Sequence, residues 1–85
     1  MAMYIGGHMQ EFQIRLRSVH DVHAFVSAAT TRGYDLSVSD SSYTADGKNF
    51  MEMFCLHLND TLTVKAACSS QEADSLRQDL SRFLH

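Results

Sequence analysis

Six consecutive residues, Ser18-Val19-His20-Asp21-Val22-His23, bring together a hydroxyl, two imidazoles and a carboxylate. Two histidines three apart on a helix can hold a metal, but two ligands make a weak site. A third ligand from His57 or Cys55 would need a coincidence of folding, so no metal site and no cofactor are expected. Asp21 adds negative charge to the first helical turn, where it favours a stable helix. His20 is expected to be a solvent-facing residue of that turn. Ser18 is a natural helix N-cap, and its hydroxyl is therefore committed to the backbone.

Other chemistry is thinly represented. Cys55 and Cys68 are expected to be reduced thiols used as small core residues. No cysteine–histidine nucleophile arrangement is defensible, and Gly47-Lys48 reads as a turn, not a phosphate loop. The net charge of −3 with scattered lysines and arginines excludes a nucleic-acid surface. No apolar run approaches the roughly 18 residues of a membrane span, and no secretory signal pattern is present. A cytoplasmic location is expected, and no enzyme activity. Met1–His8 lacks any hydrophobic period and precedes a further methionine, Met9; with its His8-Met9 junction it reads as a cloning scar. One domain over 9–85 is expected.

The hydrophobic pattern supplies the elements that must hold these residues. Phe12, Ile14 and Leu16 alternate with Glu11, Gln13, Arg15 and Arg17, which predicts a half-buried strand. After Ser18 the period changes: Val19, Val22, Phe25, Val26 and Ala29 share a helical face. Asp21 answers Ser18 as a weak capping box, and Arg32-Gly33 predicts the helix end. Tyr34, Leu36 and Val38, the turn Asp40-Ser41-Ser42, and Tyr43 to Ala45 predict a hairpin. Asn49 with Glu52 predicts the cap of a short helix carrying Phe50, Met51, Met53, Phe54 and Leu56. These are too many large apolar residues for one buried face, so part of the helix is expected to be an interaction surface. A turn at Asn59-Asp60, a strand through Leu62, Val64 and Ala66, and a helix capped by Ser69 and Glu72 complete the chain. That last helix presents Ala73, Leu76, Leu80, Phe83 and Leu84.

The order βαββαβα predicts an α+β fold, an open-faced β-sandwich with a four-stranded antiparallel sheet and three helices on one face. With these residues, the order resembles the HPr family, the histidine phosphocarrier of the bacterial phosphoenolpyruvate-dependent sugar phosphotransferase system. The resemblance runs from Gln10 to Leu84. It is sharpest in Ala24-Phe25-Val26 leading to Tyr34-Asp35-Leu36-Ser37-Val38, and in Asp46-Gly47-Lys48-Asn49-Phe50-Met51 with Leu56 beyond. The chain looks most like a degenerate, clostridial-type branch with a Ser-hydrophobic-x-Asp-Val segment in place of the phosphocarrier loop.

The family motif is Gly-Leu-His-Ala-Arg-Pro-Ala, and this chain departs from it. Counting back from Phe25, the phosphohistidine position matches Ser18 and the arginine position matches His20. The resemblance also implies a regulatory serine at the cap of the short helix, where this chain has Asn49, which cannot be phosphorylated. It implies a partner-binding surface at Phe50, Met51 and Phe54. Together these imply a protein-binding or regulatory module that carries no phosphate. Its partners would be phosphotransferase components or a regulator. The alternative is an active phosphocarrier that uses His20, with Arg15 or Arg17 as counter-charge. A third reading is an oligomer formed through the short helix.

Overall fold

The computed structural model describes residues 9–84. Met1–His8, read above as a cloning scar, lies outside the described residues. The elements follow the expected order: β1 (Gln10–Arg15), α1 (Val19–Thr30), β2 (Leu36–Ser39), β3 (Thr44–Asp46), α2 (Phe50–Met53), β4 (Thr61–Ala66) and α3 (Ser70–Asp79), then a 3₁₀ turn at Ser81–Phe83.

The sheet order is β1-β4-β2-β3, antiparallel throughout. β4 lies between the two strands most distant from it in sequence. The register sets like against like: Ile14 pairs with Leu62, Phe12 with Val64, Val38 with Val64, and Leu36 with Ala66. Because side chains alternate across a strand, these pairs form one apolar face, which the three helices cover. Val22, Phe25, Val26 and Ala29 of α1, Met53 of α2, and Ala73 and Leu76 of α3 close the core against it. Glu11, Gln13, Thr63 and Lys65 occupy the opposite, open face. The α+β open-faced sandwich read from the sequence is the fold observed.

Several boundaries differ from expectation, each for a local reason. Val19 was placed on the buried face of α1 but is 58% exposed. It is the first helical residue, and packing on the sheet begins a turn later at Val22. The end of α1 is capped by Thr31 in a right-handed conformation, and Gly33 has no positive φ. Arg32 does not serve the last turn of its own helix. Its guanidinium pairs with Asp79 at the end of α3, while Lys48 Nζ donates to the Arg32 carbonyl at 2.7 Å. β3 begins at Thr44 rather than Tyr43. α2 stops at Met53: Cys55 N–H donates to the Glu52 carbonyl and Leu56 N–H to that of Met53, three-residue steps that tighten the chain out of the α-helix. α3 ends at Asp79. Leu84 then lies beside Ile14 at the β1 edge instead of continuing the helix.

Candidate functional site

The start of α1 is built by two short side chains. Ser18 has an extended backbone (φ −151°, ψ 169°), and its Oγ accepts from Asp21 N–H at 3.3 Å. Asp21 reaches back as expected, but past Ser18: its Oδ2 accepts from Arg17 N–H at 2.9 Å. A carboxylate is thus fixed in the first turn, where a phosphoryl group would need cations and N–H donors. His20 is exposed, and among the described residues its ring has no partner. Ile14 and Leu16 are both fully buried in the core, so Arg15 between them points to the open face. Arg17 is exposed beyond the strand end.

The second expected site lies at α2. Asn49 caps the helix, its Oδ1 accepting from Glu52 N–H at 3.1 Å. Glu52 does not complete the box on Asn49 N–H. Its Oε1 instead accepts from Asp46 N–H at 3.0 Å, which anchors α2 to β3. The apolar residues then divide. Met53 and Leu56 are core, Met51 is 77% and Phe54 42% exposed, and Phe50 is half-buried. The Phe50 ring meets Phe54 at a centroid distance of 4.8 Å. Its other neighbour is His23 of α1, at 5.3 Å and 67°. Val19 lies one turn before His23 on the same side of α1. The three rings of His23, Phe50 and Phe54 thus run in contact from α1 onto α2, with the exposed Val19 a turn before His23.

Asp40 and His57 form a third constellation, which the sequence reading missed. Asp40 is the first residue of the β2–β3 turn. Its Oδ1 accepts from the N–H groups of Ser42 (2.8 Å) and Tyr43 (2.7 Å). Its Oδ2 accepts from both His57 N–H (3.0 Å) and His57 Nδ1 (2.9 Å). The carboxylate is only 1% exposed while the His57 side chain is 64% exposed. The Ser42 and His57 N–H bonds, with those of Tyr43 and the ring, hold Asp40 well below the ordinary carboxylate range despite its burial. The turn was legible as turn chemistry, but nothing local signals a contact across 17 positions. The His57 loop is also tied to the approach to α1. Asn59, the one non-glycine residue with positive φ among those described (74°), donates its N–H to the Leu16 carbonyl at 2.8 Å.

The cysteines part company. Cys68 is buried, and burial pushes its thiol up. Cys55, expected in the core, is exposed, because α2 ends before it and the tightened turn carries it outward. Neither is in a disulfide. Among the described residues no group of three or more His, Cys, Asp or Glu side chains could hold a metal, and no helix is long and apolar enough to cross a membrane. A depression of about 460 Å³ lies on the open face between Asp35, Ser37, Thr44, Asp46 and Lys65.

This is an HPr-like fold. The chain is similar in structure to the phosphocarrier protein HPr from Bacillus anthracis str. Ames, with a TM-score of 0.69 and 14% identity, over 91% of this chain and 98% of that one. It is similar also to HPr-C-His from Thermoanaerobacter tengcongensis, with a TM-score of 0.65 and 15% identity, over 85% of this chain and 88% of that one. At these identities the likeness is one of fold. No protein-family model and no curated protein matches the sequence.

Proposed function

We propose that this chain is a non-phosphorylated protein-binding or regulatory module related to the bacterial phosphoenolpyruvate-dependent sugar phosphotransferase system. It acts in the cytoplasm, without enzyme activity of its own, by docking α1 and α2 on a protein partner: a phosphotransferase component or a regulator. The observation that carries this is the surface at Val19, His23, Phe50 and Phe54, with Met51 beside it. Val19, Met51 and Phe54 are exposed apolar side chains, and Phe50, half-buried against the core, links them across α1 and α2 through its ring contacts with His23 and Phe54. The first turn of α1 supports the same reading, since it presents the Asp21 carboxylate where a phosphocarrier needs positive charge.

The test uses phosphoenolpyruvate and the general phosphotransferase enzyme, with an authentic HPr as the positive control. The expected result is binding to a phosphotransferase component or regulator that Phe54→Asp abolishes, and no acid-labile phosphate on His20. A phosphoryl adduct that disappears in His20→Ala would overturn the reading in favour of a phosphocarrier working from that residue.

A further inference from the structure

We propose that the depression between the end of α1 and the start of α3 binds a neutral carboxamide group, whose carbonyl oxygen accepts from Arg32 Nε–H and Tyr34 O–H. The depression has a volume of about 230 Å³ and is lined by Thr31, Arg32, Gly33, Tyr34, Glu72 and Ser75. It stands at the far end of α1 from Val19 and His23, so it is no part of the docking surface proposed above.

The first observation is a pair of orphaned donors. Arg32 Nε and the Tyr34 hydroxyl are both out of solvent, and among the described residues neither has a hydrogen-bond partner. An unpaired buried donor is rare, because it gives up its bonds to water and gains nothing in return. Here two of them belong to residues two apart in the chain that line the same depression. The Arg32 side chain is held in place, since its Nη2 pairs with Asp79 and only 16% of it is exposed. The same residues act on one another. Burial pushes the Tyr34 hydroxyl up, and the side chains that further shift it are Cys68, Arg32 and Glu72. Two donors and a carboxylate therefore share one small volume.

Charge and hydrogen-bonding capacity then select the ligand. Arg32 Nε–H can only donate, and the Tyr34 hydroxyl can donate as well. The ligand must offer an acceptor, and one carbonyl oxygen with two lone pairs can serve both. An anion is disfavoured, because Asp79 already offsets the Arg32 charge and Glu72 adds a negative charge to the lining. Glu72 uses Oε1 for Ser69, accepting from its N–H at 3.0 Å and from its Oγ at 3.2 Å. That leaves Oε2 to accept from a ligand. The group that fits is uncharged, with a donor beside its acceptor, and a carboxamide carries both in one plane. A Cβ placed on Gly33 meets no atom within 4 Å, so the space on that side is open. The carboxamide belongs either to a free small amide or to an asparagine or glutamine side chain of a partner; the recognition chemistry is the same.

The isotope-labelled chain is titrated with propionamide and followed by NMR at Arg32 Nε–H and the Tyr34 ring. Saturable shifts at both are expected, with a dissociation constant of about 1–10 mM. Propionate and 1-propanol are close to it in size and should bind about ten times more weakly, the first for its charge and the second for its missing amide. Tyr34→Phe should weaken binding about tenfold and, without ligand, melt no lower than wild type, since the hydroxyl it removes has no partner. Arg32→Lys keeps a cation for Asp79 but has no Nε–H and should lose binding likewise; if it does not fold, the wild-type Arg32 Nε–H shift decides that arm. No saturable shift, equal binding of propionate or 1-propanol, or unweakened binding by Tyr34→Phe overturns the site. A lower melting midpoint in ligand-free Tyr34→Phe overturns it too, because the hydroxyl would then already be satisfied. A capped glutamine peptide separates the two sources. Tighter binding than propionamide assigns the group to a partner's side chain, and equal or weaker binding assigns it to a free small amide.

Discussion

The His23 ring of α1 stands edge-on to the Phe50 ring of α2, with centroids 5.3 Å apart and planes at 67°. That is the geometry in which a ring edge meets a π-face, and it couples a helix anchored on the sheet to one barely a turn long. α2 is too short to be stable by itself. It is held by this ring pair, by the Asn49 cap, by the Glu52 bond to β3 and by Met53 in the core. The exposed apolar residues beside it are thereby fixed in place.

Phe50 and Phe54 should therefore separate stability from binding. Phe50→Ala removes a half-buried ring with contacts on two sides and should cost about 2 kcal/mol in urea unfolding. Phe54→Asp alters a ring that is 42% exposed and touches Phe50 at the surface, so it should cost less, about 1 kcal/mol, while abolishing partner binding. Equal losses of stability in both would mean that Phe54 belongs to the core.

Asn49 should behave as a cap and nothing more. Asn49→Ser keeps a side-chain oxygen for Glu52 N–H and should be neutral within about 0.5 kcal/mol, whereas Asn49→Ala should cost about 1 kcal/mol. Thermal melts of the pair check this. A large loss in Asn49→Ser would mean that the 3.3 Å bond from Asn49 Nδ2 to Glu52 carries the stability instead.

What the sequence disclosed follows from where each signal lives. The alternation of Phe12, Ile14 and Leu16 and the Ser69–Glu72 capping box are local signals; the strand forms on that alternation as Gln10–Arg15, ending before Leu16 and Arg17, and both halves of the box are formed. The short helix was harder. With apolar residues at nearly every position, period alone does not say that Met53 turns inward and Met51 outward, nor that the chain tightens before Cys55. The Asp40–His57 bond was not legible at all, since hairpin and loop meet only after β4 has inserted beside β2. At the candidate site, the identities of Ser18, His20 and Asp21 were readable. That Asp21 bypasses Ser18 to hold Arg17 N–H depends on the angle at which strand enters helix.

Asp40 predicts a pH dependence whose sign is fixed. Its carboxyl is depressed in the folded protein below its ordinary value of 3.8, chiefly by the Ser42 and His57 N–H bonds. The folded state therefore holds the ionised form more tightly than the unfolded chain does. That stabilisation is complete above the ordinary value and is lost as the pH falls through the lower, folded one. Asp40→Asn should be less stable than wild type near neutrality, with the gap closing below about pH 4. Urea unfolding at stepped pH measures it. A gap that stays constant into acid would show that the carboxylate charge contributes nothing.

The two described glycines should respond oppositely to alanine. Neither has a positive φ, so the difference is one of space. At Gly47 a methyl group would come within 3.1 Å of Leu36 Cβ and 3.3 Å of the Leu36 carbonyl, with the Phe25 ring at 3.4 Å. Leu36 cannot withdraw easily. Its carbonyl accepts from Gly47 N–H at 2.8 Å, and it is paired with Ala66 in the sheet. Gly47→Ala should cost about 1–2 kcal/mol by overpacking. At Gly33 a methyl group meets nothing within 4 Å. The residue looks like a helix-terminating glycine in the sequence, yet its backbone is one that alanine can adopt. Gly33→Ala should therefore stabilise the fold by about 0.5 kcal/mol, through the lower entropy of the unfolded chain. Denaturant midpoints of both variants test the pair. Destabilisation at Gly33 would mean that the chain needs a left-handed conformation there after all.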